Sequence, residues 1–338
     1  MNDGRLGFGV VGINQRVRRS ILAGFGRSHF ARLAAVCSRD LEKARQTAEE
    51  FGGTPYASFP AMLADPSVEV VFICTPHHLH CPMSLAALTA GKHVVCEKPL
   101  ALTLAEAEEM VAAAERAGAR TAVNFTYHSL PGHRLIAREI AAGTIGTVVH
   151  VSLIYWQARQ RLPGATPSDA LLDIGSHLVD LATWWTAVGG AGEIRAIVSQ
   201  EGGRDEAPPI WAALARTDRG ALVTFQANRI AAGWRNGMEC SIVGTDGMLS
   251  LVFDTDTAEV RCARFGSGRP EGILSTVPIP ADLWVSYHDF PPFHLDRIVR
   301  GLRGEEEFPD FRYGLQCQRI LDAAQRSGRD RQWIEIPV

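Results

Sequence analysis

VEVVFICTPHHLHCPMSLAALTAGKHVVCEKPL, residues Val68 to Leu100, is the stretch that decides the fold. Val68 to Cys74 is a short apolar run, typical of a strand buried on both faces of a parallel sheet, and Thr75-Pro76 ends it. Leu79 to Ala90 carries apolar residues at helical spacing and stops at Gly91, a residue common just after a helix. The stretch therefore begins as a strand followed by a helix.

A second buried strand, Val94 to Cys96, completes a strand–helix–strand unit and runs into Glu97-Lys98-Pro99. In open α/β sheets, ligands bind at the carboxyl ends of the strands, which is where these three residues stand. Lysine is rare in this chain, since only Lys43, Lys92 and Lys98 occur among 34 basic residues. A lysine between a buried strand and a proline is therefore a candidate for chemistry.

Length and composition narrow the class of protein. A chain of 338 residues predicts two domains, which we place at residues 1–124 and 125–338. The net charge of −3 and the absence of a basic stripe argue against nucleic acid. No apolar run approaches the ~20 residues of a membrane helix, and the amino terminus reads as a strand rather than a signal peptide.

The cysteines favour a reducing compartment. They are seven, an odd number, and none forms a C-x-x-C pair. We expect reduced, mostly buried thiols in a cytoplasmic protein.

The first strand, Arg5 to Ile13, contains a literal G-x-G-x-x-G at Gly7, Gly9 and Gly12. The dinucleotide fingerprint must straddle a strand-to-helix turn, whereas these glycines lie in the strand, so we reject the match. The frame that fits the turn is Gly12, Ile13, Asn14, Gln15, Arg16 and Val17.

Only the first glycine of the fingerprint survives in that frame. Asn14 stands at the second glycine position, and asparagine tolerates left-handed backbone better than most residues. We therefore expect the loop to form, with phosphates on the following helix N-terminus and Arg16 adding charge. Arg18 and Arg19 are interpreted as solvated surface.

The second strand, Leu33 to Cys37, ends in Ser38-Arg39, where an acidic residue would bind the ribose 2′-hydroxyl of NAD. A hydroxyl and a guanidinium suit a 2′-phosphate, which favours NADP over NAD. Two alternatives stay open. Asp40 can turn back onto the ribose, and Arg39 can simply pair with Glu42.

The second half of the chain predicts a different architecture. From Glu193 to about Val277, short alternating runs are separated by turns such as Gly244-Thr-Asp-Gly247, which indicates one open antiparallel or mixed sheet. Thr147 to Trp156 is its first strand. The loop from Trp156 to Asp169 is either a substrate-facing lid or an ordinary connection.

Helices are predicted throughout, at Leu41 to Phe51, Phe59 to Ala64, Leu104 to Ala117, Leu130 to Ala142, Leu171 to Val188, Phe293 to Leu302 and Tyr313 to Gly328. On the helix from Leu171, Asp173 and His177 are four residues apart and share a face. Such a pair can be structural or functional.

Three motifs together resemble one known family. They are TPHHLH at Thr75, AGKHVVCEKPLA at Ala90, and ALLDIGSHLVDL at Ala170 to Leu181. The chain resembles the glucose-fructose oxidoreductase / inositol dehydrogenase (Gfo/Idh/MocA) family over nearly its whole length. The resemblance implies an α/β protein with an N-terminal Rossmann domain and a C-terminal α+β domain that has a large open, mostly antiparallel sheet.

The same resemblance implies an NAD(P)-dependent dehydrogenase of sugars, polyols or inositols. It makes Lys98, Asp173 and His177 the proton-handling set, with Lys98 also in contact with substrate and cofactor. Tyr155 and Arg159 are further candidates for substrate contact. The cofactor would be held, besides the loop and Ser38-Arg39, by Thr75, Pro76, His78, His80 and Glu97.

Metal binding is not expected, because the histidines at 77, 78 and 80 lack acidic or cysteine partners at zinc-ligand spacing.

The free face of the second sheet implies a homodimer or homotetramer. Two other functions stay open: a non-catalytic NADP-binding sensor, and a hydrolase or lyase that oxidises its substrate transiently.

Overall fold

The computed structural model describes residues 4–159, 169–203, 207–255, 257–266 and 269–337. Most of the loop from Trp156 to Asp169, for which a lid and an ordinary connection were both left open, lies outside these residues. The chain forms two compact units, Met1–Ser129 with Val285–Gln318, and Leu130–Trp284 with Arg319–Val338.

The first unit differs from the predicted domain 1–124 mainly in the segment Val285–Gln318, which the prediction assigned to the second domain. The physical reason is apolar packing. Leu295, Ile298 and Val299 of this segment belong to the same buried core as Val17 and Ile21 near the amino terminus. Local periodicity predicted a helix here but not which core it would join.

The described strands of the first unit form one parallel sheet. They are β1 (Leu6–Val11), β2 (Ala31–Cys37), β3 (Thr54–Tyr56), β4 (Val70–Ile73), β5 (His93–Cys96) and β6 (Thr121–Val123). Their order is β3-β2-β1-β4-β5-β6, so the direction of winding reverses between β1 and β4. This is the doubly wound dinucleotide-binding order, and ligands bind beside such a reversal. The predicted Rossmann domain is confirmed.

The α-helices that the structure describes are α1 (Gln15–Val17), α2 (Ala23–Phe25), α3 (Leu41–Phe51), α4 (Phe59–Leu63), α5 (His80–Thr89), α6 (Leu104–Ala117), α7 (Pro131–Ala141), α8 (Ser176–Val188), α9 (Phe290–Arg303) and α10 (Phe311–Asp330). A π-helical turn, Arg18–Leu22, joins α1 to α2. A second, Leu171–Gly175, precedes α8 inside the segment predicted as one regular helix.

The second unit contains a mixed sheet. Its described strands are β7 (Val148–Trp156), β8 (Ile194–Gly202), β9 (Ile210–Thr217), β10 (Leu222–Asn228), β11 (Gly237–Gly244), β12 (Gly247–Asp254), β13 (Thr257–Arg264), β14 (Ser275–Val277) and β15 (Ile334–Glu335). They follow the order β14-β13-β12-β11-β7-β10-β9-β8-β15. The neighbouring strands β7 and β10 are parallel, and the other pairs are antiparallel. The predicted open, mostly antiparallel sheet is confirmed.

The two faces of this sheet differ. Along β7, Val151, Leu153 and Tyr155 are buried, on the face against which α8 packs. On the other face, exposed apolar side chains alternate with polar ones, and Leu222 and Val252 are 45% and 44% exposed. Among the described helices, none is long and apolar enough to cross a membrane.

Candidate active site

The turn after β1 requires glycine at position 12. Gly12 has φ +92°, and a Cβ there would lie 2.6 Å from the backbone nitrogen of Thr75 and closer still to the carbonyl of Cys74. The ends of β1 and β4 therefore approach each other at a point where a side chain does not fit. The buried Ile13 follows and anchors the turn in the core.

Asn14 keeps the loop in shape for a reason that the sequence prediction missed. Its backbone is extended, with φ −140° and ψ 175°, so its tolerance of left-handed backbone is not used. Instead its side chain accepts a hydrogen bond from the Val17 N–H at 3.0 Å and caps α1. Gln15, exposed, is the first helical residue. The helix N-terminus is thus formed without the second and third glycines.

Glu97 is a buried carboxylate at the end of β5. It accepts hydrogen bonds from the Arg16 guanidinium and from Asn124 Nδ2, the latter at 2.9 Å. Burial alone would raise the pKa of Glu97, but Arg16, Lys98 and Asn124 outweigh it and hold the pKa below its usual value. Glu97 is therefore ionised, and Arg16, half-exposed on the helix after β1, is tied to the end of β5.

The two other arginines of the loop point elsewhere. Arg18 donates to Thr47 Oγ1 at 2.8 Å, pairs with Glu50 and lies 5.2 Å from the Phe51 ring centre. It therefore packs against α3, whereas the sequence predicted a solvated side chain. Arg19 is exposed.

His80 ties together the loops that follow β4 and β5. Its ring is fully buried, with Nδ1 2.9 Å from the Pro99 carbonyl and Nε2 3.1 Å from the Thr75 carbonyl. Burial lowers the pKa of His80. Its neighbour His78 is exposed, as is Pro76. The peptide bond between Lys98 and Pro99 is cis, and Lys98 is 4% exposed.

The end of β2 answers two alternatives left open by the sequence. Asp40 accepts hydrogen bonds from the Glu42 and Lys43 N–H groups at 3.0 and 3.2 Å, so its carboxylate caps α3. Its own N–H donates to Ser38 Oγ. Arg39 is exposed and forms no ion pair with any residue that the structure describes, Glu42 included.

These residues of the first unit fit a dinucleotide. Gly12 leaves its backbone open to close approach, and a capped helix N-terminus offers N–H groups to an anion. Thr75 Oγ1 is buried and has no hydrogen-bond partner within the described chain. A buried hydroxyl without a partner is the kind of group that a bound ligand satisfies.

The second unit carries the other predicted residues. Asp173 lies in the π-helical turn and His177, 8% exposed, in the first turn of α8. The Tyr155 ring, near the end of β7, lies 6.2 Å from the His177 ring between centres. Arg159 is exposed just before the undescribed residues. π-Helical turns are common at functional sites because they re-aim side chains within a helix.

Arg229 was missed by the sequence prediction. It follows β10, is 3% exposed and forms an ion pair with the Asp173 carboxylate. Burial, then the charge of Arg159, lowers the pKa of Arg229. The only signal in the sequence is an arginine directly after an apolar strand. This pattern is as typical of a surface turn as of a buried ion pair, so it does not distinguish them.

A polar cluster beside Tyr155 was also missed. Gln157 is 3% exposed, and its Nε2 donates to the Tyr155 hydroxyl at 3.2 Å and to Asn236 Oδ1 at 2.6 Å.

Among the described residues, no group of three or more histidine, cysteine or acidic side chains could hold a metal ion.

Two family models match the sequence. The oxidoreductase family model with an NAD-binding Rossmann fold matches residues 6–125, and the GFO/IDH/MocA C-terminal domain model matches residues 133–250. The chain belongs to the Gfo/Idh/MocA family. The resemblance drawn from the three motifs is thereby confirmed, and this Gfo/Idh/MocA protein is an oxidoreductase whose first unit binds NAD(P).

Individual relatives extend the match to both units. Levoglucosan dehydrogenase of Pseudarthrobacter phenanthrenivorans is 30% identical over an alignment that covers 89% of each chain. A solved oxidoreductase domain protein of Kribbella flavida matches with TM-score 0.86 and 30% identity, over 99% of this chain and 100% of its own. A levoglucosan dehydrogenase in complex with NADH and levoglucosan matches with TM-score 0.85 and 26% identity, over the same shares.

The ion pair between Asp173 and Arg229 predicts an effect on stability. Asp173→Asn keeps the shape of the side chain but removes the carboxylate charge that pairs with a buried guanidinium, so we expect the free energy of unfolding to fall by about 3 kcal/mol. Urea denaturation measures it. Asp322→Asn, which breaks a looser pair with Arg326 at 3.8 Å on α10, is the control and should change stability by less than about 0.5 kcal/mol. Equal small effects would contradict a buried pair.

Proposed function

We propose that this protein is an NAD(P)-dependent dehydrogenase of a sugar, polyol or inositol-like alcohol. The observation that carries the proposal is Lys98, a buried lysine at the carboxyl end of β5 in a doubly wound sheet. Support for a sugar comes from the relatives, since the levoglucosan dehydrogenase aligned over 89% of this chain is named for one.

Different residues are assigned to different parts of the dinucleotide. We assign the phosphates to the loop from Gly12 to Arg16, and the adenosine ribose to Ser38 and Arg39. The nicotinamide end belongs to Thr75, Pro76, His78 and His80 on one loop and to Glu97 and Lys98 on the next. When bound, the nicotinamide supplies a hydride acceptor or donor.

The chemistry asks two things of the protein's side chains. As the alcohol carbon gives up its hydrogen with both electrons, the hydroxyl must lose its proton, and we assign His177 as the base that takes it. Lys98 donates a hydrogen bond to the same oxygen and stabilises its developing negative charge. Tyr155 and Arg159 are assigned to substrate contacts.

Asp173 is assigned to orient His177 and to favour its protonated form. The pairing with Arg229 supports this role in one respect, because an ion pair with a buried guanidinium fixes the position of the carboxylate. Asp173 lies four residues before His177 along the chain, in the π-helical turn that leads into α8.

NADP is the proposed preferred cofactor. Ser38 and Arg39 follow β2 and carry no carboxylate, and the next residue, Asp40, caps α3 through its Oδ1. A carboxylate at this place would repel a 2′-phosphate, whereas an exposed guanidinium attracts it.

The cofactor proposal predicts a selective loss. Arg39→Ala should weaken NADP binding on the order of tenfold, because one charge-assisted contact to the 2′-phosphate disappears, and should leave NAD binding nearly unchanged. Calorimetric titration with both nucleotides measures it. Arg45→Ala, at an exposed arginine on the neighbouring helix α3, is the control and should affect neither. Tighter binding of NAD by the parent protein would overturn the preference.

The catalytic assignment predicts losses that do not add. A screen of anhydrosugars, aldoses, polyols and inositols for NAD(P) reduction first supplies a substrate. Lys98→Ala and His177→Ala should then each lower kcat on the order of 100-fold or more, and the double variant by clearly less than the product of the two.

Lys43→Ala, an exposed lysine on α3, is the control for the lysine. Near-normal turnover in His177→Ala would reduce the Asp173–His177 pair to a packing feature. Nucleotide binding without turnover of any alcohol in the screen would favour the sensor instead.

We also propose a homodimer or homotetramer formed through the exposed face of the second sheet. The parent protein should show at least a dimer mass by light scattering at micromolar concentration. Val252→Glu places a charge on that face and should shift the mass towards the monomer, because a contact that buries this face would desolvate it. Val188→Glu, at a similarly exposed valine that ends α8, is the control. A monomeric parent would refute the proposal.

A further inference from the structure

A string of buried polar side chains runs from Glu97 into α9. Asn124 Nδ2 lies 2.9 Å from Glu97 Oε1, and Asn124 Oδ1 lies 2.7 Å from His294 Nε2. His294 Nδ1 lies 2.7 Å from Ser129 Oγ, and Arg297 donates to the same oxygen at 3.4 Å. All five side chains are at most 7% exposed. The string therefore links the end of β5 to a helix that comes late in the chain.

The direction of every hydrogen bond follows from the charge at one end. An ionised Glu97 only accepts, so Asn124 must turn its NH₂ towards it and its carbonyl oxygen towards His294. His294 must then carry its proton on Nε2, which leaves Nδ1 to accept from the Ser129 hydroxyl. Arg297 donates to Ser129 from the far side. One assignment satisfies all the groups, and each donor points towards Glu97.

The imidazole of His294 is held neutral and immobile. Burial, with the positive charge of Arg297, lowers the pKa of His294 to about 3. The Phe290 ring is stacked on it, with 5.4 Å between centres and 9° between planes, and Phe308 packs at 5.9 Å. His294 thus has one tautomer, one orientation and no charge to offer a ligand.

The string cannot serve as a proton relay, because a carboxamide does not readily accept and pass on a proton as an imidazole does. It can instead hold the Asn124 and Glu97 side chains in a fixed orientation. Without a donor to its oxygen, the Asn124 amide would be held from one side only, by its hydrogen bond to Glu97, and the position of both groups would be less constrained.

We infer that His294 is a positioning residue for the dinucleotide half of the site. It acts through Asn124 on the Glu97 carboxylate, which in turn fixes Arg16 at the phosphate loop and the backbone that carries Lys98. The inference rests on the proposed function, since it concerns how tightly NAD(P) is held. A histidine that only fills space in the core would have no such effect once its volume is replaced.

Two amide substitutions separate the contacts of His294. In His294→Gln, the amide nitrogen stands as many bonds from the backbone as the imidazole Nε2, so the donor to Asn124 is kept. In His294→Asn, the amide reaches only the Nδ1 position, so the contact with Ser129 is kept and the donor to Asn124 is lost. Both variants remove the ring and both are neutral.

The measurement is NAD(P) affinity by fluorescence titration, with the thermal midpoint recorded alongside. His294→Asn should weaken affinity about fivefold to tenfold, the effect of one net hydrogen bond, while His294→Gln should stay within about twofold of the parent. In an Asn124→Ala background, His294→Asn should cause no further loss, because the path to Glu97 is already cut.

Equal losses of affinity in the Gln and Asn variants would overturn the inference, as would a full additional loss in the Asn124→Ala background. If Asn124→Ala does not fold, the comparison of the two His294 variants decides alone. A parent protein that binds neither nucleotide would overturn the proposed function and this inference together. Binding by the parent with equal losses in the variants overturns the inference only.

Discussion

The first unit depends on a buried negative charge. An isolated carboxylate costs several kcal/mol to remove from water, so Glu97 can be ionised inside the protein only with compensating partners. Arg16 comes from the helix after β1, Asn124 follows β6, and Lys98 is the next residue in the chain. The charge therefore fixes three separate segments at one edge of the sheet. Because Lys98 follows Glu97 directly, the contacts that fix Glu97 also constrain the backbone that carries Lys98.

Local signals in the sequence predicted most of the fold. The predicted bounds of helix α6 agree with the structure. The spacing of Thr103 and Glu106 in the sequence is that of a capping box, and the structure contains this capping box. The fingerprint frame was also correctly placed, since Gly7 lies within β1 and Gly12 in the turn. Such features depend on residues a few positions apart, and the chain alone determines them.

The predictions fell short where a contact joins distant residues. Asn124 and His294 are 170 positions apart, and no periodicity links them. Arg229 was overlooked for the same reason, because its partner Asp173 lies on a different element and an arginine after a strand is usually at the surface. Asn14 was placed correctly but for the wrong cause, since backbone propensity was considered and side-chain capping was not.

The late return of the chain to the first unit bears on how such proteins can be rebuilt by recombination. The Rossmann family model ends at residue 125, one position after Asn124, whereas the histidine that holds Asn124 lies on α9. A chimera that exchanged everything after that point would inherit a nucleotide-binding module without its own α9, and so with part of its apolar core uncovered. An exchange confined to the residues between Ser129 and Val285 would leave the module whole. The cofactor-binding unit is therefore encoded by two separate segments of the gene.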